Sequence, residues 1–129
     1  MEITANEARD LAQWFRDVSV AIGAYRFAHW DSLTKDQRDT LEGIEWTLLN
    51  YSSDLVTQAV GLTLDDAEAS LKHIQEATAM AKKAVETIQT IKKILVISGA
   101  VIKLGAAIVS EHPGVIATAI GNLRNAVAA

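Results

Sequence analysis

A chain of 129 residues that is 50% hydrophobic and 22% charged can bury one core of its own, which sets intrinsic disorder aside. Cysteine is absent, so disulfides and thiolate catalysis or metal sites are excluded, and one proline with seven glycines is too few for the many turns of a β-sandwich or barrel. The net charge of −4 is divided unevenly, with 5 Lys+Arg against 11 Asp+Glu in residues 1–65 and 7 against 5 in residues 66–129, and no basic stripe suited to duplex DNA results.

The opening MEITANEARD has mixed charge and no apolar run, so it reads as the start of a domain and not as a signal peptide, and a cytoplasmic location is expected. Thr4-Ala-Asn-Glu7 is a capping box, in which each end satisfies an orphan amide of the first turn. Leu11, Trp14, Phe15, Val18, Ile22 and Tyr25 then recur at spacings of three and four, within an arc of about 100°. This predicts a helix over residues 5–29. Val20 and Phe27 fall off that stripe and suggest a small second contact face.

Thr34-Lys-Asp-Gln37 is a second capping box. Leu41, Ile44, Leu48, Tyr51, Leu55 and Ala59 follow at helical spacing, which predicts a helix over 35–60 with Gly61 as its stop. Glu45 and Ser52 lie within this apolar face. A buried carboxylate needs a partner, and Arg26, His29 and Lys103 are the candidates.

Asp65-Asp-Ala-Glu68 places acid where a helix N-terminus favours it. Ile74, Ala77, Thr78, Ala81, Val85 and Ile88 form the stripe of this third helix. The helical pattern continues to residue 110, but the apolar face rotates by about 120° between residues 74–88 and 94–109. Either the helix breaks near Lys92-Lys93 or one long helix is covered on different sides along its length; unbroken from 66 to 110 it would be about 67 Å long, so a kink or an elongated shape is expected. His112-Pro113-Gly114 reads as a turn into a short last helix, whose face carries Val115, Ile116, Ile120, Leu123 and Val127.

Residues 92–114, KKILVISGAVIKLGAAIVSEHPG, are the most apolar part of the chain. A spanning helix needs about 20 apolar residues, whereas the charge-free runs here are 94–102 and 104–110, divided by Lys103. Ile94, Leu95, Ile97, Val101, Ile102, Leu104, Ile108 and Val109 cover about half the helical wheel. Lys92, Gly99, Lys103, Ala107 and Ser110 form a thin opposite strip, as in a helix embedded in a soluble bundle. Residues 82–129 also resemble, in outline, the glycine- and alanine-rich hydrophobic hairpin of α-helical pore-forming toxins. That resemblance implies a hairpin able to enter a membrane conditionally, led by Lys82, Lys83, Lys92 and Lys93.

Chemistry-bearing motifs are sparse. His29, His73 and His112 have no second histidine four residues on and no Glu-x-x-His context, so no metal and no cofactor is expected. Asp36, Asp39 and Glu42 read as a solvated face, and no phosphate loop or nucleophile elbow occurs. Trp14, Phe15, Tyr25, Trp30, Trp46 and Tyr51 read chiefly as core packing, with an aromatic ligand pocket as the enzymatic or carrier rival.

The sequence therefore predicts a single all-α domain over 1–129. The expected architecture is an antiparallel helical bundle of three to four helices, with one long third helix and a short C-terminal one. The expected role is a non-catalytic protein-interaction or oligomerisation module, partnered by itself or another protein and not by nucleic acid. The alternative is a membrane-active protein whose 94–128 hairpin inserts conditionally. Either role would use the face of Ile97, Val101, Ile102, Leu104, Ile108, Ile116, Ile120 and Leu123.

Overall fold

The computed structural model describes residues 2–64, 70–88, 90–110 and 112–129, excluding the side chain of Pro113. The described residues form five α-helices: α1 (Ala5–Ala28), α2 (Lys35–Gln58), α3 (Leu71–Thr87), α4 (Ile91–Val109) and α5 (Pro113–Ala128). The protein is all-α.

Both expected capping boxes are present. The Thr4 hydroxyl accepts from the Glu7 amide at 3.2 Å while Glu7 accepts from the Thr4 amide at 3.0 Å, and Thr34 and Gln37 do the same at 3.1 and 2.9 Å. Two orphan donors are satisfied at each helix start, so both boundaries fall where the sequence put them. The expected acidic start of the third helix, residues 65–68, lies outside the described residues. Within them, Ser70 caps α3 by accepting from the His73 amide at 3.2 Å.

The long third helix is two helices. Ile88 and Thr90 are both extended, so α3 ends at Thr87 and α4 begins at Ile91. The break thus precedes the Lys92-Lys93 position expected from the rotation of the apolar face. The rotated apolar face explains why a break is needed, since a straight helix would turn one of its two stripes away from the core.

α1 and α2 form an antiparallel hairpin. The Ser52 hydroxyl donates to the Ala12 carbonyl at 2.8 Å and Ser19 donates to the Glu45 carbonyl at 3.0 Å. Its open end is clasped by backbone: Ile3 donates to Leu62 at 2.9 Å and Gly61 donates to Ile3 at 2.8 Å. Gly61 has φ +83°, a left-handed turn that a side chain would strain, and it directs the chain back onto Ile3. The sequence marked Gly61 as a stop but did not show the clasp.

α4 and α5 form a second antiparallel hairpin, tied at its ends by a Lys93 ammonium that donates to the Ala129 carbonyl. α3 bridges the two hairpins. It lies beside α1 in the same direction, Trp14 sharing a groove with Gln75 and Thr78 and Ala21 sharing one with Val85. It meets α5 through Arg124 and Glu76, 3.5 Å apart.

The described helices share one apolar cluster. α1 contributes Leu11, Phe15, Val18 and Ile22, α3 contributes Ile74, Ala77, Ala81 and Val85, and α4 contributes Ile94, Ile97, Val101 and Leu104. α2 is the shallowest member, with only Leu41, Leu48 and Leu55 fully buried in it. That narrow stripe leaves much of α2 facing away from the core. Ser98 is buried at the centre of α4 with no hydrogen-bond partner for its hydroxyl among the described residues. An unmet buried hydroxyl costs about 1–3 kcal/mol, so Ser98→Ala is expected to be neutral or stabilising in a denaturant melt. A loss above about 1 kcal/mol would show that the hydroxyl has a partner in solution.

Candidate functional site: the outer face of the α1–α2 hairpin

The hairpin has an inner face in the core and an outer face turned away from α3, α4 and α5. Between the two faces lies an ion pair. The Arg26 Nε donates to Glu45 Oε2 at 2.6 Å and its Nη2 reaches Oε1 at 3.4 Å, with side chains only 10% and 15% exposed. Of the three candidate partners for Glu45, Arg26 is the one that meets it. Lys103 is exposed on α4, and His29 stacks on Tyr25 with ring centroids 4.3 Å apart. The hydrogen bond to Glu45 holds the Arg26 guanidinium above its ordinary pKa, against the opposing effect of burial. Burial alone raises the Tyr25 phenol.

Gly23 makes room for this pair. A Cβ there would sit 2.7 Å from Glu45 Oε1. The carboxylate therefore lies against the α1 backbone, and the hairpin closes tightly at its middle.

Outside the pair lies an apolar surface. Phe27 is 67% exposed, Val20 62%, Trp46 61% and Trp30 44%. Phe27 and Trp30 are stacked, with centroids 6.0 Å apart and planes 12° apart. The Arg26 guanidinium lies 4.6 Å from the Phe27 centroid and the Arg38 guanidinium 4.8 Å from that of Trp30. Arg38 Nη1 also donates to the Trp30 and Leu33 carbonyls at 2.9 and 2.7 Å, so the tip of the hairpin is held rigid. Ordered aromatic rings lose little entropy on binding, which suits them to contact surfaces.

The expected second face of Val20 and Phe27 is therefore exposed. The reading of all six other aromatics as core is corrected. Phe15 and Tyr25 are buried and Trp14 and Tyr51 partly so, but Trp30 and Trp46 are exposed. Trp46 stands roughly 160° around α2 from the Leu41, Leu48 and Leu55 stripe, and that wheel position was the available signal for its exposure. These rings do not converge on one pocket. Trp14 lines a groove against α3, and Tyr25 lines another against Val85.

The eight residues expected to form an interaction or membrane face lie elsewhere. Ile97, Val101, Leu104 and Ile108 of α4 and Ile116, Ile120 and Leu123 of α5 are buried between the helices, and Ile102 is half-buried. The thin strip opposite them is exposed at Lys92, Lys103 and Ser110. Ala107, expected on that strip, is instead buried and lines the α4–α5 groove beside Ala119. No helix among the described residues is long and apolar enough to cross a membrane.

His73 Nδ1 lies 3.0 Å from the Ser70 hydroxyl, and His112 is exposed at the start of α5. No group of three or more His, Asp or Glu that could hold a metal ion occurs among the described residues. No protein-family model matches this chain, and no curated protein or solved structure matches it.

Proposed function

We propose that this protein is a non-catalytic interaction module that self-associates through the outer face of the α1–α2 hairpin. The observation that carries this reading is the exposure of Val20, Phe27, Trp30 and Trp46 on one rigid surface. Scattered apolar residues are ordinary on a protein surface, whereas a group containing three large aromatic rings favours a partner.

Energetics favour this surface over the α4–α5 hairpin. Inserting that hairpin would first expose its eight large buried aliphatic side chains, Ile94 among them, at about 1.5–3 kcal/mol each. The sum, on the order of 12–24 kcal/mol, equals or exceeds the whole stability of an ordinary domain. A lipid surface would have to supply it. The outer face of α1–α2 is available with no rearrangement.

The test is the mass in solution, by sedimentation or light scattering, across a wide concentration range. The expected result is a species heavier than the 13.9 kDa chain that returns to 13.9 kDa when Trp46 is replaced by serine. Helical content should be unchanged, because Trp46 is mostly exposed. A wild-type protein that stays at the monomer mass throughout would overturn the reading.

A further inference from the structure

The exposed surface of α1 changes character along its length. Its first half shows Arg9, Asp10, Gln13 and Arg16 to solvent. From Val18 to Ala28 the exposed residues are Val20, Ala24, Phe27 and Ala28, and none is charged or polar. The one charge in that stretch, Arg26, is buried and held by Glu45. An exposed helix face that stays apolar for about three turns is a ridge for docking and not an ordinary solvated face.

The ridge is arranged about its own middle. Val20 lies four residues before Ala24 and Phe27 three after it, about 6 and 4.5 Å along the helix at 1.5 Å per residue. Arg16, Val20, Ala24 and Phe27 fall within about 80° on the wheel. A two-fold axis that lies in the outer face, runs across the helices at right angles and passes over Ala24 turns this ridge onto itself. It lays α1 on α1 and α2 on α2 of the other copy, each pair antiparallel. Ala24 then meets Ala24 of the partner subunit, where two small side chains let the helices approach closely. Val20 meets Phe27 of the partner subunit on either side of that crossing.

Charge agrees with the same axis. Arg16, eight residues before Ala24, comes level with Asp31 of the partner subunit, which is seven after it in the exposed turn that follows α1. On α2 the bond from Ser19 to the Glu45 carbonyl sets the register, so Ala24 is level with Thr40. Glu42 lies two residues from that level toward the open end and Arg38 two toward the tip, so Glu42 meets Arg38 of the partner subunit. Asp39 beside them is already paired with Lys35 at 2.9 Å. Opposite charges thus flank an apolar centre at both symmetry-related positions. An axis along the helices would instead lay α1 on α2 of the other copy. It would set Arg9 and Arg16 against Val56 and Leu49 of the partner subunit, which desolvates two cations without a counter-charge.

The geometry points to a second copy of this chain as the occupant of the outer face, in a two-fold dimer whose α1 helices pack antiparallel with Ala24 at their crossing. This inference rests on the self-association proposed above and specifies its symmetry and register.

The chain has no cysteine, so one introduced thiol reports the register. Ala24→Cys places the two thiols at the axis, and oxidised glutathione is expected to link most of the dimer covalently, seen at twice the chain mass on a non-reducing gel. Gln13→Cys is also on the exposed side of α1, but its two copies would lie about 33 Å apart and should not link. Sedimentation gives a second readout. Arg16→Glu and Asp31→Arg each set like charges across both contacts and are expected to weaken dimerisation about fivefold or more. The chain carrying both reversals restores opposite charges and is expected within about threefold of wild-type affinity. Circular dichroism checks the folding of each variant. Should Ala24→Cys itself dimerise less, the charge reversal carries the same test.

An Ala24→Cys chain that dimerises without linking would overturn this register while leaving self-association standing. Charge reversals that change nothing, or whose losses the double variant does not restore, would overturn it as well. A wild-type monomer would overturn both this inference and the reading beneath it.

Discussion

Replacing Glu45 with alanine is expected to destabilise the protein by about 3 kcal/mol, more than any single change to its surface charges. The reason is asymmetry. With the carboxylate gone, the Arg26 guanidinium keeps its positive charge in a site where its side chain is only 10% exposed. Its counter-charge is lost, but its desolvation cost remains. The exposed pair Lys35–Asp39, 2.9 Å apart with side chains 80% and 57% exposed, is the internal control. Water already solvates both of its members, so Lys35→Ala should cost no more than about 0.5 kcal/mol.

The double variant Arg26→Met/Glu45→Leu should recover most of the loss, because it removes both charges together and keeps the volume. Denaturant melts of the four proteins give the coupling energy directly. If Glu45→Ala proves as mild as Lys35→Ala, the pair contributes nothing structural. On the Arg26 side, the pKa is raised on folding. Its contribution is therefore fully present below the unfolded value and lost only as pH rises through the folded one, which lies beyond the neutral range. Melts between mildly acidic and mildly basic pH should show no loss arising from Arg26 deprotonation.

The second large effect separates two glycines of one helix. Gly105→Ala should destabilise and Gly99→Ala should stabilise, although both lie inside α4. A Cβ on Gly105 would come within 2.5 Å of Tyr51 Cδ2 and 3.3 Å of Phe15 Cε1. Phe15 is fully buried and cannot retreat. Overpacking of this kind costs about 1–3 kcal/mol, against a helix-propensity gain of about 1 kcal/mol for alanine over glycine. The net expectation is a loss of up to about 2 kcal/mol. A Cβ on Gly99 meets nothing within 4 Å, so only the propensity gain remains there. Thermal melts of the two variants decide the matter, and a shift of the same sign in both would show that the α2–α4 contact is looser than described. Tyr51→Leu in the Gly105→Ala background should recover part of the loss, because it removes the ring that the new methyl meets.

Local signals in this chain were legible wherever a short-range bond fixes a boundary. Thr4 with Glu7 and Thr34 with Gln37 close their capping boxes within four residues, so no distant contact can move those helix starts. The core stripes followed from spacing alone, since Leu11, Phe15, Val18 and Ile22 cannot share one side of α1 without being buried together. The break between α3 and α4 was legible as a rotation of the apolar face but not as a position. The change of stripe pointed to Lys92-Lys93, and the extended residues are Ile88 and Thr90, because a stripe shows which side of a helix is covered but not at which residue the backbone turns.

The composition and periodicity of this sequence by themselves determined an all-α chain, its capped helix starts and the inward stripe of each helix. These depend on interactions between residues three or four apart, which any one segment carries within itself. Tertiary structure alone decided which of three cations meets Glu45, that Ile3 clasps Gly61 and Leu62, and that the apolar residues of α4 and α5 face each other and the core. It also decided that Trp30 stays outside, whereas the exposure of Trp46 was signalled by its position opposite the α2 stripe. Aromatic type says only that a ring gains from burial, and whether it is buried depends on how many helices surround it. The fully buried residues of α2 are Leu41, Leu48 and Leu55, which fill its contact with the core, and Trp46 on the opposite side of the helix stays 61% exposed.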